Sequence, residues 1–365
     1  MKIALVATHH VDYAANLAMA LAARHEVLLV VSRRSAARQL RPESWPVLER
    51  SVSLRVVPHH VAPLQPWIAL RCLVHIRRFG ADIVHVQEHP TRSMALLARL
   101  MRGKIPLVTT VHDPEPHSGN DAKAARIFRR YNDALRKMSD GIIVHGPSLA
   151  DDLAHMGLDP NRIAALPHGA LRFGRHGFAT APVRVDRRRL IFFGRMEHYK
   201  GLDTLLAAHA IWREQGADIR LTIAGAGPEL DRHRQALAVP GIDLHAGRLD
   251  QKDLEEMVKG CAAAILPYHD ATQSGVIASA LGVGRPVIVT DVGELANAVG
   301  DAGLIVPPRN PVALAKAGRR LVDEPGLLER LEWAVTARVE GELGWEQIAA
   351  RTEDFYSRMI ARTGG

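Results

Sequence analysis

Short apolar runs alternate with amphipathic stretches along the first half of the chain. Helical periodicity covers residues 13–24, between the first two apolar runs, and residues 93–101, between two later ones. The predicted strands of this half are Ile3–Ala7, Val27–Val31, Leu54–Val57, Ile83–Val86, Leu107–Val111 and Ile142–His145. Runs rich in Val, Ile and Leu between amphipathic helices are typical of a parallel sheet covered on both faces.

The second half repeats this alternation. Its predicted strands are Leu190–Phe193, Ile219–Ala224, Ile242–Ala246, Ala263–Pro267, Val287–Thr290 and Leu304–Val306. The pattern therefore predicts an α/β protein with two doubly wound domains, at residues 1–168 and 190–343. Residues 169–189 hold several glycines and arginines without a period and are predicted to be a linker, whereas residues 344–365 are predicted to hold a final helix.

Length and composition agree with this division. A chain of 365 residues exceeds what one hydrophobic core usually organises. Cys72 and Cys261 lie far apart, which excludes a disulfide framework and suits a reducing compartment. The first apolar run is too short for a signal peptide, and no segment reaches the roughly 18 apolar residues of a membrane span. We expect a cytoplasmic protein.

The charge lies in the first half. Residues 1–168 carry 22 Lys and Arg against 14 Asp and Glu, whereas residues 169–365 carry 25 of each. A basic face of this kind suits an anionic membrane surface or a phosphate-bearing substrate, and mere solubility is the alternative. Nucleic acid is disfavoured, because there is no nucleic-acid-binding motif and few aromatic residues accompany the basic clusters.

The first strand of the second half is followed by candidate chemistry. Gly194 follows the apolar run, and Arg195 and Lys200 come directly after it. Arginine offers forked hydrogen bonds and lysine a compact point charge, so the two could hold one multivalent anion at the strand end. The alternative is two solvated cations beside a turn.

Three more turns at successive strand ends strengthen the anion prediction. Gly225 and Gly247 follow two of the strands, and Gln273, Ser274 and Gly275 precede a predicted helix. A serine suits the helix N-cap and a glycine lets the backbone approach a ligand, so the helix amides could receive a phosphate. Together with the two cations, this predicts a diphosphate site, although Ser274 and Gly275 are also simply good capping residues.

These motifs resemble those of the retaining glycosyltransferases of the GT-B fold, family four. The matching stretches are Phe193–Arg195 with Lys200–Gly201, Ala224–Pro228, Ala280–Glu294 and, more loosely, Ala81–Val86, Val108–Asp113, Leu166–Gly169 and Trp345–Tyr356. The resemblance covers essentially the whole chain. It implies two Rossmann-like domains that face each other across a cleft, with the last helix crossing back onto the first domain.

The resemblance also implies a reaction. The second domain should bind a nucleotide-diphosphate sugar, and the first domain a glycan or lipid-linked glycan, so that the sugar passes to a hydroxyl with retention. The setting would be polysaccharide or glycolipid biosynthesis. No metal or other cofactor would be required, and the basic first domain would lie on the inner face of the membrane as a peripheral protein.

Particular residues take roles from this resemblance. Arg195 and Lys200 match the diphosphate clamp, and His112 matches a histidine that faces the donor sugar. A buried and structurally satisfied His112 is the alternative. The expected donor-binding residues are Gly194, Gly225, Gly247, Arg248, Leu249, Gln273, Ser274, Gly275, Val276 and Ser279.

One departure bears on activity. The family carries two glutamates eight positions apart, and Ala271 and Ser279 stand at those places here. Asp270 could replace the first carboxylate, and Ser279 could donate a weaker hydrogen bond to ribose. The run from Ala271 to Val276 resembles a branch with an altered turn. Alternatives are an inactive nucleotide- or glycan-binding accessory subunit and a nucleotide-sugar epimerase or phosphorylase.

Histidines and one aspartate follow the first strand, where many relatives have paired glycines. His10 and Asp12 could contact the acceptor; the alternative is a helix cap near Asp12 with the histidines in solvent. The chain holds 19 histidines, among them His9, His59, His60, His85 and His89. Their spacing matches no compact metal-ligand set, so we expect no metal site.

Overall fold

The computed structural model describes residues 1–58, 65–114, 120–177 and 179–363. His59 and His60, which were considered above as metal ligands, lie outside these residues.

The first sheet is parallel throughout. Its strands are β1 (Lys2–Ala7), β2 (Glu26–Ser32), β3 (Ser53–Val57), β4 (Ile83–Gln87), β5 (Leu107–Thr110), β6 (Gly141–Val144) and β7 (Ile163–Ala165). Among the described residues they pair in the order β3-β2-β1-β4-β5-β6-β7. The order reverses between β1 and β4, and that point of a doubly wound sheet opens a crevice beyond the strand ends.

The second sheet repeats this order. Its strands are β8 (Asp186–Arg195), β9 (Arg220–Ala226), β10 (Ile242–Ala246), β11 (Cys261–Leu266), β12 (Val287–Thr290) and β13 (Gly303–Val306). They are also parallel, in the order β10-β9-β8-β11-β12-β13 within the described residues. The predicted α/β class with two doubly wound sheets is confirmed.

Helices cover both sheets. They are α1 (Val11–Ala22), α2 (Arg33–Gln39), α3 (Trp45–Ser51), α4 (Gln65–Phe79), α5 (Arg92–Met101), α6 (Asn120–Met138), α7 (Pro147–His155), α8 (Leu202–Glu214), α9 (Pro228–Arg232), α10 (Arg234–Leu237), α11 (Gln251–Gly260), α12 (Gly275–Gly282), α13 (Leu295–Val299), α14 (Pro311–Asp323), α15 (Leu327–Glu340) and α16 (Trp345–Thr363). Short 3-10 turns occupy Pro42–Ser44, Pro160–Arg162 and His198–Lys200. None of the described helices combines the length and apolarity that a membrane crossing needs.

Two strands differ from the sequence prediction. β7 was missed because it has only three residues. β8 begins at Asp186, inside the predicted linker, because its first four residues are charged and give no apolar signal. Asp186 accepts from Arg189 of the same strand at 3.2 Å and from Arg220 of β9 at 3.1 Å.

The last helix, α16, packs on the first sheet. Ile348, Phe355 and Tyr356 are buried in the same hydrophobic cluster as residues of β1 and α1. The hydroxyl of Tyr356 lies 2.5 Å from Nδ1 of His85 on β4. Burial of this apolar face makes α16 part of the first domain's core, although the second sheet separates the two in sequence.

A buried charge cluster joins the linker to both domains. Glu255 of α11 is 1% exposed and pairs with Arg41 of the first domain. The same carboxylate lies 3.2 Å from Arg175 of the linker and 2.7 Å from Lys259. One carboxylate with three cationic partners is well compensated, whereas removal of the carboxylate would leave the buried Arg41 unpaired.

Candidate active site

Lys200 is a buried cation at the end of β8. It closes the 3-10 turn His198–Lys200 and is only 5% exposed. Its Nζ donates to Oη of Tyr268 at 2.9 Å and lies 4.9 Å from the centre of that ring. Burial lowers the pKa of Lys200 to about 8, with Arg195 adding to the effect. A cation that is desolvated in this way interacts strongly with an anion that reaches it.

Arg195 lies at the mouth of the same site. It is exposed, and its Nη2 is 3.4 Å from Oη of Tyr199. The pKa of His9, across the cleft, is lowered by burial and then by Arg195, which places the guanidinium within electrostatic range of the first domain. The predicted pair of cations therefore consists of one interior lysine and one solvent-facing arginine.

The turn before α12 leaves its amides available. Ser274 occupies the N-cap position, but its side chain does not cap the helix as the sequence had suggested. A hydrogen bond links Ser274 instead to Tyr268, the partner of Lys200, and works against the burial that raises the pKa of Tyr268. Because first-turn amides lack acceptors within their own helix, α12 presents N–H groups to a ligand.

Glycines keep this corner of the second domain open. Gly194 has φ of 108°, and a Cβ there would lie 3.3 Å from Nζ of Lys200 and 3.4 Å from Val276. A Cβ on Gly275 would meet nothing within 4 Å. Since neither packing nor a positive φ requires a glycine at Gly275, its lack of a side chain leaves space beside the helix amides.

The glycines of the other two turns are required for different structural reasons. Gly225 has φ of 152°, and a Cβ there would lie 1.9 Å from the carbonyl oxygen of Gly194. Gly247 has φ of 113° but open space around it, and its amide donates to Gly225 O at 2.8 Å. Arg248 is exposed and Leu249 half-buried beside it. This turn is accessible, as a region predicted to bind the donor must be.

The two positions that match the family glutamates carry no acid. Ala271 is buried, and the hydroxyl of Ser279 donates to Gly275 O at 2.9 Å within α12. The Ser279 hydroxyl therefore donates its one hydrogen bond within its own helix. Toward a ribose hydroxyl it can act only as an acceptor. Asp270 is exposed at the end of the loop after β11.

Histidines form the opposite wall. His112 is buried at the end of β5, and its Nε2 lies 2.9 Å from Oε1 of Gln87, which ends β4. Its Nδ1 is buried without a hydrogen-bond partner, so the alternative of a fully satisfied core histidine does not hold. Burial, followed by His10, His145 and other histidines, lowers the pKa of His112 well below its usual range.

His10 stacks on His112, with ring centroids 3.7 Å apart. It has φ of 50° and ψ of 42°, a conformation that a glycine adopts more easily. This arrangement differs from the alternative of histidines in solvent and holds His10 at the cleft.

Asp12 faces elsewhere. One carboxylate oxygen lies 2.9 Å from His176 and the other accepts from the amide of Gly174 at 3.1 Å, so both are engaged by the linker. This differs from the predicted acceptor contact. The physical reason is that the Asp12 carboxylate contacts Gly174, 162 positions further along the chain, and no local sequence pattern indicates such a contact.

Two hydrogen bonds close the cleft at its sides. The Thr272 hydroxyl donates to Asp113 of the first domain. Glu294, 2% exposed, accepts from the Ser148 amide in the first turn of α7 at 2.7 Å. Below them, a cavity of about 250 Å³ lies between the domains and is lined in part by His145, His168, Gln273 and Ser274.

The sequence analysis missed several of these residues. The hydroxyls of Tyr199 and Tyr268 accept hydrogen bonds from the two cations, and Glu294 entered the sequence analysis only as the end of a matching stretch. His145 and His168 lie beside His112, and one ring nitrogen of each of the three is within 4.8 Å of the others. Their shared place at the ends of strands β5 to β7 was the available signal, but their sequence spacing is irregular.

The fold and this site define an α/β protein with two doubly wound sheets and a pair of cations beside the cleft between them. A family model described as Glycosyltransferase Family 4 matches residues 11–170, and one described as Glycosyl transferases group 1 matches residues 187–324. Glycogen synthase of Mycobacterium tuberculosis is 28% identical over 320 residues, which are 83% of this chain and 74% of that protein.

Solved structures share the fold. Sucrose-phosphate synthase from Thermosynechococcus elongatus superposes with a TM-score of 0.71 at 19% identity, over 99% of this chain and 100% of that one. HepE of Anabaena, solved with UDP, superposes with a TM-score of 0.68 at 14% identity, over 98% and 100%. The chain belongs to the GT-B glycosyltransferases of family four. Its activity is accordingly glycosyl transfer from a nucleotide sugar.

Proposed function

We propose that this protein transfers a sugar, with retention, from a nucleotide-diphosphate sugar to a hydroxyl of a glycan or lipid-linked glycan. The observation that carries the proposal is Lys200, a buried cation at the end of β8 whose partner Tyr268 also contacts the N-cap of α12. A nucleoside diphosphate fits this arrangement, because its two phosphates can meet Lys200, Arg195 and the helix amides together.

The chemistry follows from where charge develops. As the bond from the sugar to the diphosphate breaks, negative charge grows on the leaving phosphate, and Lys200, Arg195 and the amides of α12 stabilise it. No metal is needed for this role. His112 and the exposed Asp270 would line the sugar. With no carboxylate at positions 271 and 279, we favour attack by the acceptor hydroxyl on the face that the diphosphate leaves, with the leaving phosphate taking the hydroxyl proton.

A thermal-shift panel with UDP, GDP, ADP, dTDP and CDP tests the clamp. A ligand present at 100 times its dissociation constant stabilises the folded state by about 2.7 kcal/mol. We expect one nucleotide to raise the Tm of the wild type and of Lys252→Ala, an exposed control on α11, but not of Lys200→Ala. An equal shift in Lys200→Ala would overturn the clamp assignment.

One observation favours a second candidate, an accessory subunit that binds without turnover. Ala271 is buried and the Ser279 hydroxyl is held inside its own helix, so neither replaces a glutamate directly. Such a subunit would show the nucleotide shift but no transfer. Incubation of the purified chain with the nucleotide sugar that shifts its Tm, and with membrane lipid extract as acceptor, distinguishes the two.

The acceptor side points to a membrane surface. On α4, Trp67, Leu70 and Val74 are 64%, 44% and 37% exposed and lie about one helical turn apart. Exposed Arg71, Arg77 and Arg78 accompany them. An apolar stripe flanked by arginines suits the interface of an anionic bilayer, where the substrate would be a lipid-linked glycan.

Vesicle flotation tests this surface. We expect binding to vesicles that contain phosphatidylglycerol, weaker binding to purely zwitterionic ones, and loss in the double variant Trp67→Ser with Leu70→Ser. Trp333→Ser is the matched control, since Trp333 of α15 is 73% exposed but lies on the second domain. Equal flotation of both variants would exclude α4 as the membrane contact.

A further inference from the structure

The histidines at the first domain's strand ends form a compact group. His112 follows β5, His145 follows β6, and His168 follows β7 after a short turn. One ring nitrogen of each lies within 4.8 Å of the corresponding nitrogens of the other two. His112 and His145 are 2% and 4% exposed, whereas His168 is half-buried and lines the interdomain cavity with His145.

An oxygen fixes the orientation of each ring. Nε2 of His112 faces Gln87 Oε1 at 2.9 Å, Nδ1 of His145 faces Leu166 O at 3.4 Å, and Nδ1 of His168 faces Gly169 O at 2.9 Å. These oxygens only accept, so the nitrogen that faces each one carries the proton. The remaining nitrogen of each ring is then unprotonated and carries a lone pair.

Two of these lone pairs are buried without a donor. His112 Nδ1 and His145 Nε2 have no hydrogen-bond partner in the structure. Three neighbouring imidazoles, each held by an outer oxygen, have the chemistry of a transition-metal site.

We propose that His112, His145 and His168 bind one divalent transition metal, with Zn²⁺ the first choice. Three histidines and one open position form a common zinc geometry, and the cavity beside His145 and His168 supplies both the open position and an entry path. Zinc–nitrogen bonds of about 2.0–2.1 Å require nitrogens about 3.4 Å apart, so binding draws the rings together by about 1 Å. The site shares His112 with the wall proposed to face the donor sugar, and it is distinct from the diphosphate clamp of Arg195 and Lys200.

Metal titration tests the proposal directly. The chain, freed of any affinity tag and dialysed against a chelator, is titrated with Zn²⁺ against a chromophoric chelator and with Co²⁺ by visible absorption. We expect one metal per chain, with affinity reduced more than about 100-fold in His145→Gln and His168→Gln and about 10-fold or more in Gln87→Ala, which loses the outer oxygen.

His209→Gln is the matched control. His209 is also buried with an unpartnered Nε2, but it lies on α8 of the second domain. This variant should bind metal like the wild type. The half-buried His168 gives a variant that perturbs folding least, and the nucleotide thermal shift reports whether each variant is folded. Failure of the wild type to bind Zn²⁺ stoichiometrically, or unchanged affinity in folded His168→Gln, would overturn the proposal.

Discussion

The two domains share one strand order but carry different residue types at the ends of their strands. In the second domain, Gly194 and Gly225 lie at the ends of β8 and β9, Gly247 follows β10, and all three have positive φ. In the first domain, imidazoles occupy the strand ends, with His10, His112 and His145 stacked or tilted against one another. The strand ends of the second domain thus expose backbone and cations, as an anion site requires. The strand ends of the first domain present imidazole rings to the cleft.

This difference shows that the fold alone does not determine what a strand end does. Glycine brings the main chain close to a ligand, whereas histidine holds the ligand away and meets it with a side chain. The same crevice of a doubly wound sheet can therefore bind through the backbone on one side and through side chains on the other.

The largest expected effect comes from removing the buried cation of the glycine-lined edge. Lys200→Ala should lower the rate of sugar transfer by about 100- to 1,000-fold, the usual loss when one group that stabilises developing negative charge is deleted. Steady-state transfer assays measure this. Lys252→Ala, an exposed substitution, should retain full activity, and near-normal activity in Lys200→Ala would contradict the clamp.

The glycines of that edge should separate into two kinds. Gly225→Ala places a Cβ 1.9 Å from Gly194 O at φ of 152° and should cost about 2–3 kcal/mol, a fall in Tm of several degrees. Gly275→Ala meets nothing within 4 Å and should change stability by less than about 0.5 kcal/mol while weakening nucleotide binding. Calorimetry with and without nucleotide tests both, and a stable Gly225→Ala would show that the strand ends can separate.

Nucleotide affinity at the glycine-lined edge should depend on pH through Lys200. Because burial lowers the pKa of Lys200 to about 8, nucleotide affinity should fall up to about tenfold per pH unit above pH 8. Between about pH 8 and 10.5 the unfolded chain binds more protons at this residue than the folded chain, so the Lys200 contribution to stability rises with pH. Calorimetric titrations across this range measure the affinity, and the pH dependence should vanish in Lys200→Ala.

A small net effect on stability is also expected from placing a glycine in the histidine-lined edge. His10→Gly relieves the left-handed backbone at φ of 50° but loses the ring contact with His112. The two changes oppose each other, so the net change in stability should stay below about 1 kcal/mol. A fall in Tm as large as that of Gly225→Ala would show that the stacked rings hold the first domain together.

The sequence predicted the sheets well, because buried parallel strands are nearly continuous apolar runs. It failed where this signal fails: β7 has three residues, and β8 opens with Asp186 and three arginines. The cations Arg195 and Lys200 were visible because they lie within one short segment. Tyr268 was not, since its contact with Lys200 joins residues 68 positions apart.

Long-range contacts also explain what the sequence could not show at the first strand end. Asp12 looked like a candidate for the cleft, but Gly174 and His176 of the linker hold its carboxylate. His145 and His168 have no local motif, and only the parallel order of β5, β6 and β7 brings them to His112. Such convergence requires the topology as well as the residues.

The last helix has a consequence for biosynthesis. Phe355, Tyr356 and Met359 of α16 complete the hydrophobic cluster that begins with Ile3 and Leu5. A ribosome delivers the chain from its N-terminus, so the first sheet must wait for the final residues before its core is closed. Until α16 is synthesised, the apolar face of β1 and α1 on which it packs is exposed. A chaperone that binds nascent apolar surface could bind this face throughout synthesis of the second domain.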